Sequence, residues 1–326
     1  IIKKPGFGIT HLDYYYFFSR RTHWDNNERT TTVMYALLSE TGSGFRFLSL
    51  DSLSVPDVDI LGEEFSLVKH SNGTDWWIVV HAHEEAKYYK FLLTENGIEY
   101  VGEQISGSFL EYRSFNFGRI DFSPTSEFMA HCTYYGILDL FRFDRCTGEL
   151  YDYKALGSDI PVSNTDNLAI DRHSYSSVDF SPDEQYLYAA ARGRIIRFAT
   201  SATPALELLD TVPDYQAPGT LEYNYFIDQL QVAINGTLYY KQISQTSGGV
   251  PSPEPINNYL STISNLDSSL SDLVINPLGL YLGDNHDGYW SGLPQNLEHH
   301  LGPEIDTWQF PWQAEAQICE GDSIQL

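Results

Sequence analysis

Short runs of aromatic and β-branched residues recur along the chain, with Gly, Asn, Asp and Pro between them. Segments 14–18, 32–38 and 87–93 are such runs, and repetition of apolar residues every three or four positions is almost absent. This pattern is typical of β-strands joined by tight turns. In segment 76–80 the apolar residues are continuous, which indicates a strand covered on both faces. The sequence therefore predicts an all-β protein with little helix.

A repeat organises the middle of the chain. The sequence Asp-Phe-Ser-Pro occurs at 121–124 and at 179–182, each time followed by an apolar strand and an amphipathic strand. Weaker copies begin near residues 67, 230 and 273. Units of about 40 to 58 residues with several strands are typical of propeller blades with loop insertions. We expect a β-propeller of four-stranded antiparallel sheets, with six to seven blades when complete, whose first blade can be incomplete in this chain.

The amino-acid composition limits the classes of molecule that the chain could bind. The chain has 44 acidic and 19 basic residues, a formal charge of −25, which argues against binding to nucleic acid or to an anionic membrane surface. No apolar run approaches the roughly 18 residues of a membrane-spanning helix, so we expect no membrane insertion. Aromatic residues make up 14% of the chain, a content that disordered proteins lack.

Five segments together resemble a known family. Residues 2–6, 14–18, 68–77, 143–148 and 291–295 are similar, in the same order, to the large secreted β-propeller surface proteins of the Bacteroidetes. Proteins of that family often end in type IX secretion sorting domains or gliding-motility-associated C-terminal domains. The resemblance implies export and residence at the cell surface or outside the cell.

The two ends of the chain resemble cuts through a longer polypeptide. The family usually has a further blade before the Lys-Pro-Gly segment at 4–6, and the tail at 318–322 is similar to the opening of a cysteine-containing immunoglobulin-like repeat. We therefore assign residues 1–302 to the propeller. Residues 303–326 are assigned to a linker and the truncated start of a following immunoglobulin-like repeat.

For function, the sequence offers few chemical signals. It contains neither the Gly-x-Ser-x-Gly turn of a nucleophilic serine nor a glycine-rich phosphate-binding loop. We therefore expect no catalytic residue and no enzymatic activity. The leading hypothesis is a non-enzymatic extracellular or cell-surface scaffold or interaction module within a larger secreted protein, with other surface proteins or glycans as partners. The alternatives are a lactonase-like propeller hydrolase with its site at the central channel, or a carbohydrate-binding module that uses exposed Trp and Tyr side chains.

The most distinctive local motif surrounds an Asn-Gly pair. His70, Asp75, Trp76 and Trp77 are the ligand-binding candidates, since a histidine and a carboxylate near a propeller axis could contact a ligand. The simpler interpretation is favoured: Asn72-Gly73 forms a hairpin turn, Asp75 caps it, and the tryptophans pack between blades.

Metal sites have weaker support. His81 and His83 are two apart and would share a strand face, but the sequence shows no third ligand. Asp284 and Asp287 lie in an oxygen-rich loop that lacks the full spacing of a calcium site, so they are weak Ca²⁺ candidates. Apart from such weakly bound Ca²⁺, no cofactor is expected.

Three cysteines are too few for a disulfide scaffold. Cys132 and Cys146 lie in one blade, at heights along the strand ladder that differ too much for a bridge between them. Both are expected to carry free thiols, while the partner of Cys319 is expected downstream.

Overall fold

The computed structural model describes residues 2–4, 14–25, 28–41, 43–58, 61–82, 85–109, 118–134, 136–156, 175–191, 194–201, 206–208, 224–245 and 259–281. These residues form five four-stranded sheets, and in each sheet the strands follow one another in chain order. The paired strands are antiparallel, as in the hairpin ladders of the second and fifth sheets.

The strands have the following bounds. The first sheet holds β1 (Ile2–Lys3), β2 (Tyr14–Asp25), β3 (Glu28–Thr41) and β4 (Gly44–Ser52). The second holds β5 (Leu61–Lys69), β6 (Trp76–Ala82), β7 (Lys87–Thr94) and β8 (Gly97–Ile105). The third holds β9 (Gly118–Phe122), β10 (Phe128–Thr133), β11 (Leu138–Asp144) and β12 (Glu149–Ala155). The fourth holds β13 (Tyr175–Phe180), β14 (Tyr186–Ala191), β15 (Arg194–Ala199) and β16 (Leu206–Leu208). The fifth holds β17 (Asn224–Val232), β18 (Leu238–Gln245), β19 (Tyr259–Ser264) and β20 (Val274–Tyr281).

This arrangement confirms the predicted all-β propeller of small antiparallel sheets, with five blades in the described residues. Helix in this part of the chain is limited to a 3-10 turn at Leu270–Asp272. No helix of the described residues has the length and apolar character needed to cross a bilayer. The tail at 303–326, for which we predicted a linker and a further repeat, lies outside the described residues.

The described residues divide into two compact units. The N-terminal unit contains β1 to β8 together with residues 142–153, and the C-terminal unit contains residues 118–141 and 154–281. In the N-terminal unit, every residue of β6 is buried, as the continuous apolar run predicted.

In the C-terminal unit, the Asp-Phe-Ser-Pro repeat produces the same turn twice. Ser123 and Ser181 each donate the backbone N–H to a carbonyl of the following strand, at 3.0 and 2.9 Å. Ser126 and Glu184 close the two turns with positive φ, 65° and 61°. The phenylalanines before these turns, Phe122 and Phe180, are both fully buried.

One cysteine prediction is confirmed and one is wrong. Cys132 forms no disulfide and is buried in the apolar cluster around β10 and β13. Cys146, in the turn between β11 and β12, is disulfide-bonded. Because Cys132 forms no disulfide, the partner of Cys146 lies outside the described residues. The expectation of a free thiol failed because it considered only a bridge within one blade.

Candidate functional site

The predicted ligand-binding motif forms the turn between β5 and β6. His70 donates its backbone N–H to the Asp75 carbonyl at 2.8 Å, and Gly73, with φ +75°, donates to the His70 carbonyl at 3.0 Å. The Asn72 side-chain oxygen accepts the backbone N–H groups of Thr74 and Asp75, both at 3.0 Å. Asn72 Nδ2 in turn donates to Asp75 Oδ2 at 2.8 Å. The Asp75 carboxylate thus takes part in the turn itself.

The histidine and the second tryptophan of this motif join the turn to residues 145–146 of the same unit. Trp76 and Trp77 are buried, and Trp77 Nε1 donates to the Arg145 carbonyl at 2.9 Å. The His70 ring lies 5.6 Å from the Trp77 ring, and its Nε2 lies 3.2 Å from the Cys146 carbonyl. The structure therefore brings His70 and Trp77 together, keeps Asp75 within the turn and buries Trp76, so that each candidate contacts other protein groups.

Of the two histidines considered as metal ligands, His81 lies beside a buried carboxyl in the N-terminal unit. His81 is buried on β6, where its Nδ1 lies 3.9 Å from Oε2 of Glu64, a buried carboxyl on β5. Its ring also packs edge-on against Tyr88 at 5.1 Å. His83 and the Ca²⁺ candidates Asp284 and Asp287 lie outside the described residues.

A cluster that the sequence analysis did not single out lies on β9, β13 and β17 of the C-terminal unit. Each of these is the first strand of its sheet, and β13 packs against both of the others. Strand alternation places Arg119 and Asp121 on one face of β9, while Ile120 and Phe122 occupy the other. The same alternation places Asp179 on the corresponding face of β13 and Gln231 on the corresponding face of β17.

Three N–H donors surround the Asp179 carboxylate. Its Oδ1 accepts the backbone N–H of Phe180 at 2.7 Å. Its Oδ2 accepts the backbone N–H of Val232 at 2.6 Å and Nε2 of Gln231 at 3.1 Å. Both oxygens of Asp179 are therefore engaged as hydrogen-bond acceptors.

The surroundings of Asp121 differ from those of Asp179, because they favour the neutral form of its carboxyl group. Burial raises the pKa of this carboxyl well above its usual range, and the adjacent Asp179 raises the pKa further, while Arg119 opposes the shift. Two carboxyls can hydrogen-bond only when one of them carries a proton. Oδ2 of Asp121 is buried and accepts no hydrogen bond from a donor of the described residues. The raised pKa and the contact with Asp179 both favour a proton on Asp121 at a pH where an ordinary aspartate is ionised.

A buried guanidinium completes the cluster. Arg119 Nη2 lies 3.8 Å from Asp121 Oδ1 and donates to Gln231 Oε1 at 2.7 Å. Its Nη1 donates to the Leu230 carbonyl at 3.0 Å and to Ser177 Oγ at 3.4 Å. Arg119 and Gln231 are also buried, with 8% and 6% of their surface exposed.

In chemical terms, the cluster is a proton-sharing carboxyl pair beside a fixed positive charge. Paired carboxyls whose environments separate their protonation states can act as an acid and a base at the same pH. The same hydrogen bonds also join the first strands of three sheets, so the cluster contributes to the stability of the unit.

No protein-family model matches the chain, and no curated protein matches it. Among solved structures it is similar to the periplasmic gluconolactonase of Pseudomonas aeruginosa, with 13% identity, 78% of this chain and 70% of that chain covered, and a TM-score of 0.45. It is also similar to provisionally assigned 6-phosphogluconolactonases of Bacteroides uniformis and Bacteroides fragilis. The first has 14% identity, 86% of each chain covered and a TM-score of 0.41. The second has 13% identity, 81% and 79% covered, and a TM-score of 0.43.

These comparisons contradict the expectation that the chain is not an enzyme, because all three of these similar propellers are described as lactonases. The expectation rested on missing motifs, and a fold that hosts both enzymes and scaffolds does not require any of them. Since the identities are only 13–14%, the similarity concerns the fold alone, and the activity of this chain has to rest on its own residues.

Proposed function

We propose that the chain is a hydrolase of lactones that uses the Asp121–Asp179 pair for acid–base chemistry. The observation that carries this proposal is the contact of the buried Asp121 carboxyl, whose pKa is raised well above its usual range, with the Asp179 carboxylate, which accepts three N–H donors. Hydrolysis of a lactone needs a group that takes a proton from water and a group that gives one to the ring oxygen. A carboxyl pair with one proton supplies both without a metal.

In the proposed reaction, Asp179 accepts a proton from a water molecule as the water oxygen bonds to the carbonyl carbon of the lactone. The carbonyl oxygen becomes negatively charged, and the nearby Arg119 guanidinium stabilises that charge. Asp121 then donates its proton to the ring oxygen while the bond between this oxygen and the carbonyl carbon breaks. One water is consumed, the product is the open hydroxy acid, and a proton transfer from Asp179 to Asp121 restores the pair.

The test is hydrolysis of glucono-δ-lactone by the purified chain, followed in a pH-stat and corrected for the spontaneous reaction. Asp121→Asn and Asp179→Asn keep the side-chain shape but remove the acid or the base, so each should lower kcat/KM at least about 100-fold. Glu99→Gln removes an exposed carboxylate of β8 and should leave the rate unchanged. A wild-type rate equal to the spontaneous rate, for this and other aldonolactones, would overturn the proposal.

Cell-surface residence is also kept as a proposal, and the family resemblance described above supports it. The test is protease treatment of intact source cells, with immunodetection of the chain before and after treatment. Loss of the signal from intact cells supports surface display, and protection until the cells are lysed contradicts it. If the chain is displayed at the cell surface, we further propose that it binds other surface proteins.

A further inference from the structure

A cleft in the N-terminal unit shares no residue with the carboxyl pair of the C-terminal unit. The cavity has a volume of about 540 Å³, which lies in the range of small-molecule sites. Residues of β3, β7 and β8 and the segment 51–56 line it, among them Tyr35, Asp51, Ser52, Phe91, Ile98 and Tyr100.

Two cross-strand pairs contribute to the lining of this cleft. Tyr35 of β3 is paired directly with Asp51, and Phe91 of β7 is paired directly with Tyr100 of β8. Directly paired residues project their side chains from the same face of a sheet. Register therefore places an aromatic ring and a carboxylate side by side in one sheet, and two aromatic rings side by side in the other.

Neighbouring rings hold the aromatic side chains in place. The Tyr35 ring lies 5.9 Å from that of Tyr16 and 6.1 Å from that of Phe18. Phe91 is buried and meets the Tyr100 ring edge-on at 5.5 Å. Rings that are already fixed lose little conformational freedom when a ligand stacks on them.

The polar groups of the cleft are also ordered. Asp51 Oδ1 accepts the backbone N–H of Ser52 at 2.8 Å, and the Tyr35 hydroxyl hydrogen-bonds to the same carboxylate. Burial raises the pKa of Tyr35, and the Asp51 charge raises the pKa further, so the phenol remains a donor. Asp51 is exposed, which leaves its carboxylate accessible to further donors from solvent or from a ligand.

The charge of the lining excludes anionic ligands. None of the described residues that line the cleft is Lys, Arg or His, and Asp51 supplies the one formal charge among them. The chain as a whole carries −25. A ligand for this cleft therefore needs hydroxyl or other donors for Asp51 and a flat apolar face for the tyrosine rings, without a negative charge.

From this combination we propose that the cleft binds a neutral saccharide. The C–H face of a pyranose ring stacks on the aromatic wall, and adjacent sugar hydroxyls donate to the Asp51 carboxylate. Charge-assisted hydrogen bonds of this kind are stronger than neutral ones, so Asp51 should dominate the affinity.

The test is saturation-transfer NMR and titration calorimetry with methyl glucoside, methyl galactoside and methyl mannoside, and with tetramethylammonium as a cationic probe. At least one glycoside should bind the wild-type chain, and Asp51→Asn should weaken that binding about tenfold or more. Tyr35→Phe, which keeps the ring, should weaken it less. Tyr151→Ala changes a tyrosine of β12 that is 45% exposed and is absent from the cleft lining, so it should have no effect.

Three results would overturn this inference: no glycoside binds, only tetramethylammonium binds, or Asp51→Asn binds as tightly as the wild type. The site is independent of the proposed hydrolase, and Asp121→Asn separates the two. That variant should retain glycoside binding whether or not the chain hydrolyses lactones. Folding of each variant is checked by near-ultraviolet circular dichroism.

Discussion

Asp121 and Asp179 occupy the same position of the Asp-Phe-Ser-Pro repeat, and their two carboxyl groups are in hydrogen-bond contact with each other. Arg119 and Ser177, two positions earlier in each copy, show the same offset of 58 residues. The difference between the two aspartates comes from the strand that each faces. Asp179 meets the N–H groups of Gln231 and Val232, whereas Asp121 meets Asp179 itself.

This asymmetry predicts unequal costs for removing the two charges. Asp179→Asn presents an amide NH₂ or a single oxygen to three N–H donors, and should lower the free energy of unfolding by about 2–4 kcal/mol. Asp121→Asn replaces a carboxyl that is already neutral by a neutral group of the same shape, and should cost less than about 1 kcal/mol. Urea unfolding of both variants at pH 7 measures the difference. Equal losses would contradict the assignment of the proton to Asp121.

The same pair predicts a pH effect with a defined sign. The pKa of Asp121 is raised in the folded protein, while an unfolded aspartate titrates near about 3.9. The folded state therefore holds the proton more tightly, and the contribution of this group is fully present below about pH 4 and is lost as the pH rises toward the folded pKa. The free energy of unfolding should fall from pH 4 to pH 7 in the wild type relative to Asp121→Asn. A constant difference between the two proteins over this range would contradict the prediction.

Two glycines offer a matched test of tryptophan packing. Gly148 and Gly236 have nearly equal positive φ, 69° and 72°, so replacement by Ala strains the backbone alike, by about 1 kcal/mol. A Cβ at Gly148 would lie 3.0 Å from the ring of Trp77, whereas at Gly236 the nearest atom is Cγ of Pro182 at 3.4 Å. Overpacking should therefore make Gly148→Ala costlier by a further 1–3 kcal/mol or so. Thermal unfolding of both variants checks this. Equal destabilisation would contradict the prediction, because it would show that the Trp77 ring moves away from the new Cβ at no cost in stability.

We predict that Arg145, whose charged side chain lies in the turn beside Cys146, stabilises the fold. Arg145 donates from Nε to the Lys69 carbonyl at 2.8 Å and from Nη2 to the His70 carbonyl at 3.2 Å, and burial lowers its pKa. Arg145→Ala leaves both carbonyls without this donor and should cost about 2–3 kcal/mol in urea unfolding. Arg46→Ala removes an exposed arginine of β4 and is the matched control, with an expected change within about 0.5 kcal/mol. Equal effects of the two substitutions would contradict the role given to Arg145.

Much of the fold could be predicted because its signals are local. The Asp-Phe-Ser-Pro turns and the apolar run of β6 specify strands and turns within a few residues. The carboxyl cluster is not local: Arg119 and Gln231 are 112 residues apart and meet only because first strands of successive sheets pack together. The motif around His70 attracted interest for the opposite reason, since its distinctive residues are adjacent in sequence.

The lining of the cleft could not be predicted from the sequence because the register of its strands is irregular. The pairing of β3 with β4 shifts between Leu37 and Leu38, and that of β7 with β8 shifts between Lys90 and Phe91. A shift of one residue moves the following side chains to the other face of a sheet, so a regular alternation does not predict which residues share a face. The disulfide of Cys146 was missed because only a bridge to Cys132 was considered.

Asp121, Asp179 and Gln231 occupy equivalent positions on the first strands of three sheets. This limits how the blades of the C-terminal unit can be exchanged. Their backbones are copies of one pattern, but this position is occupied by a proton donor, an anion and an amide that complement one another. A protein engineered from identical copies of the β9 or β13 strand would bring a third carboxyl to the site of Gln231 and remove the amide that donates to Asp179. Repeat engineering on this scaffold therefore has to keep the order of its blades, because their differences at one inner position are what make them fit together.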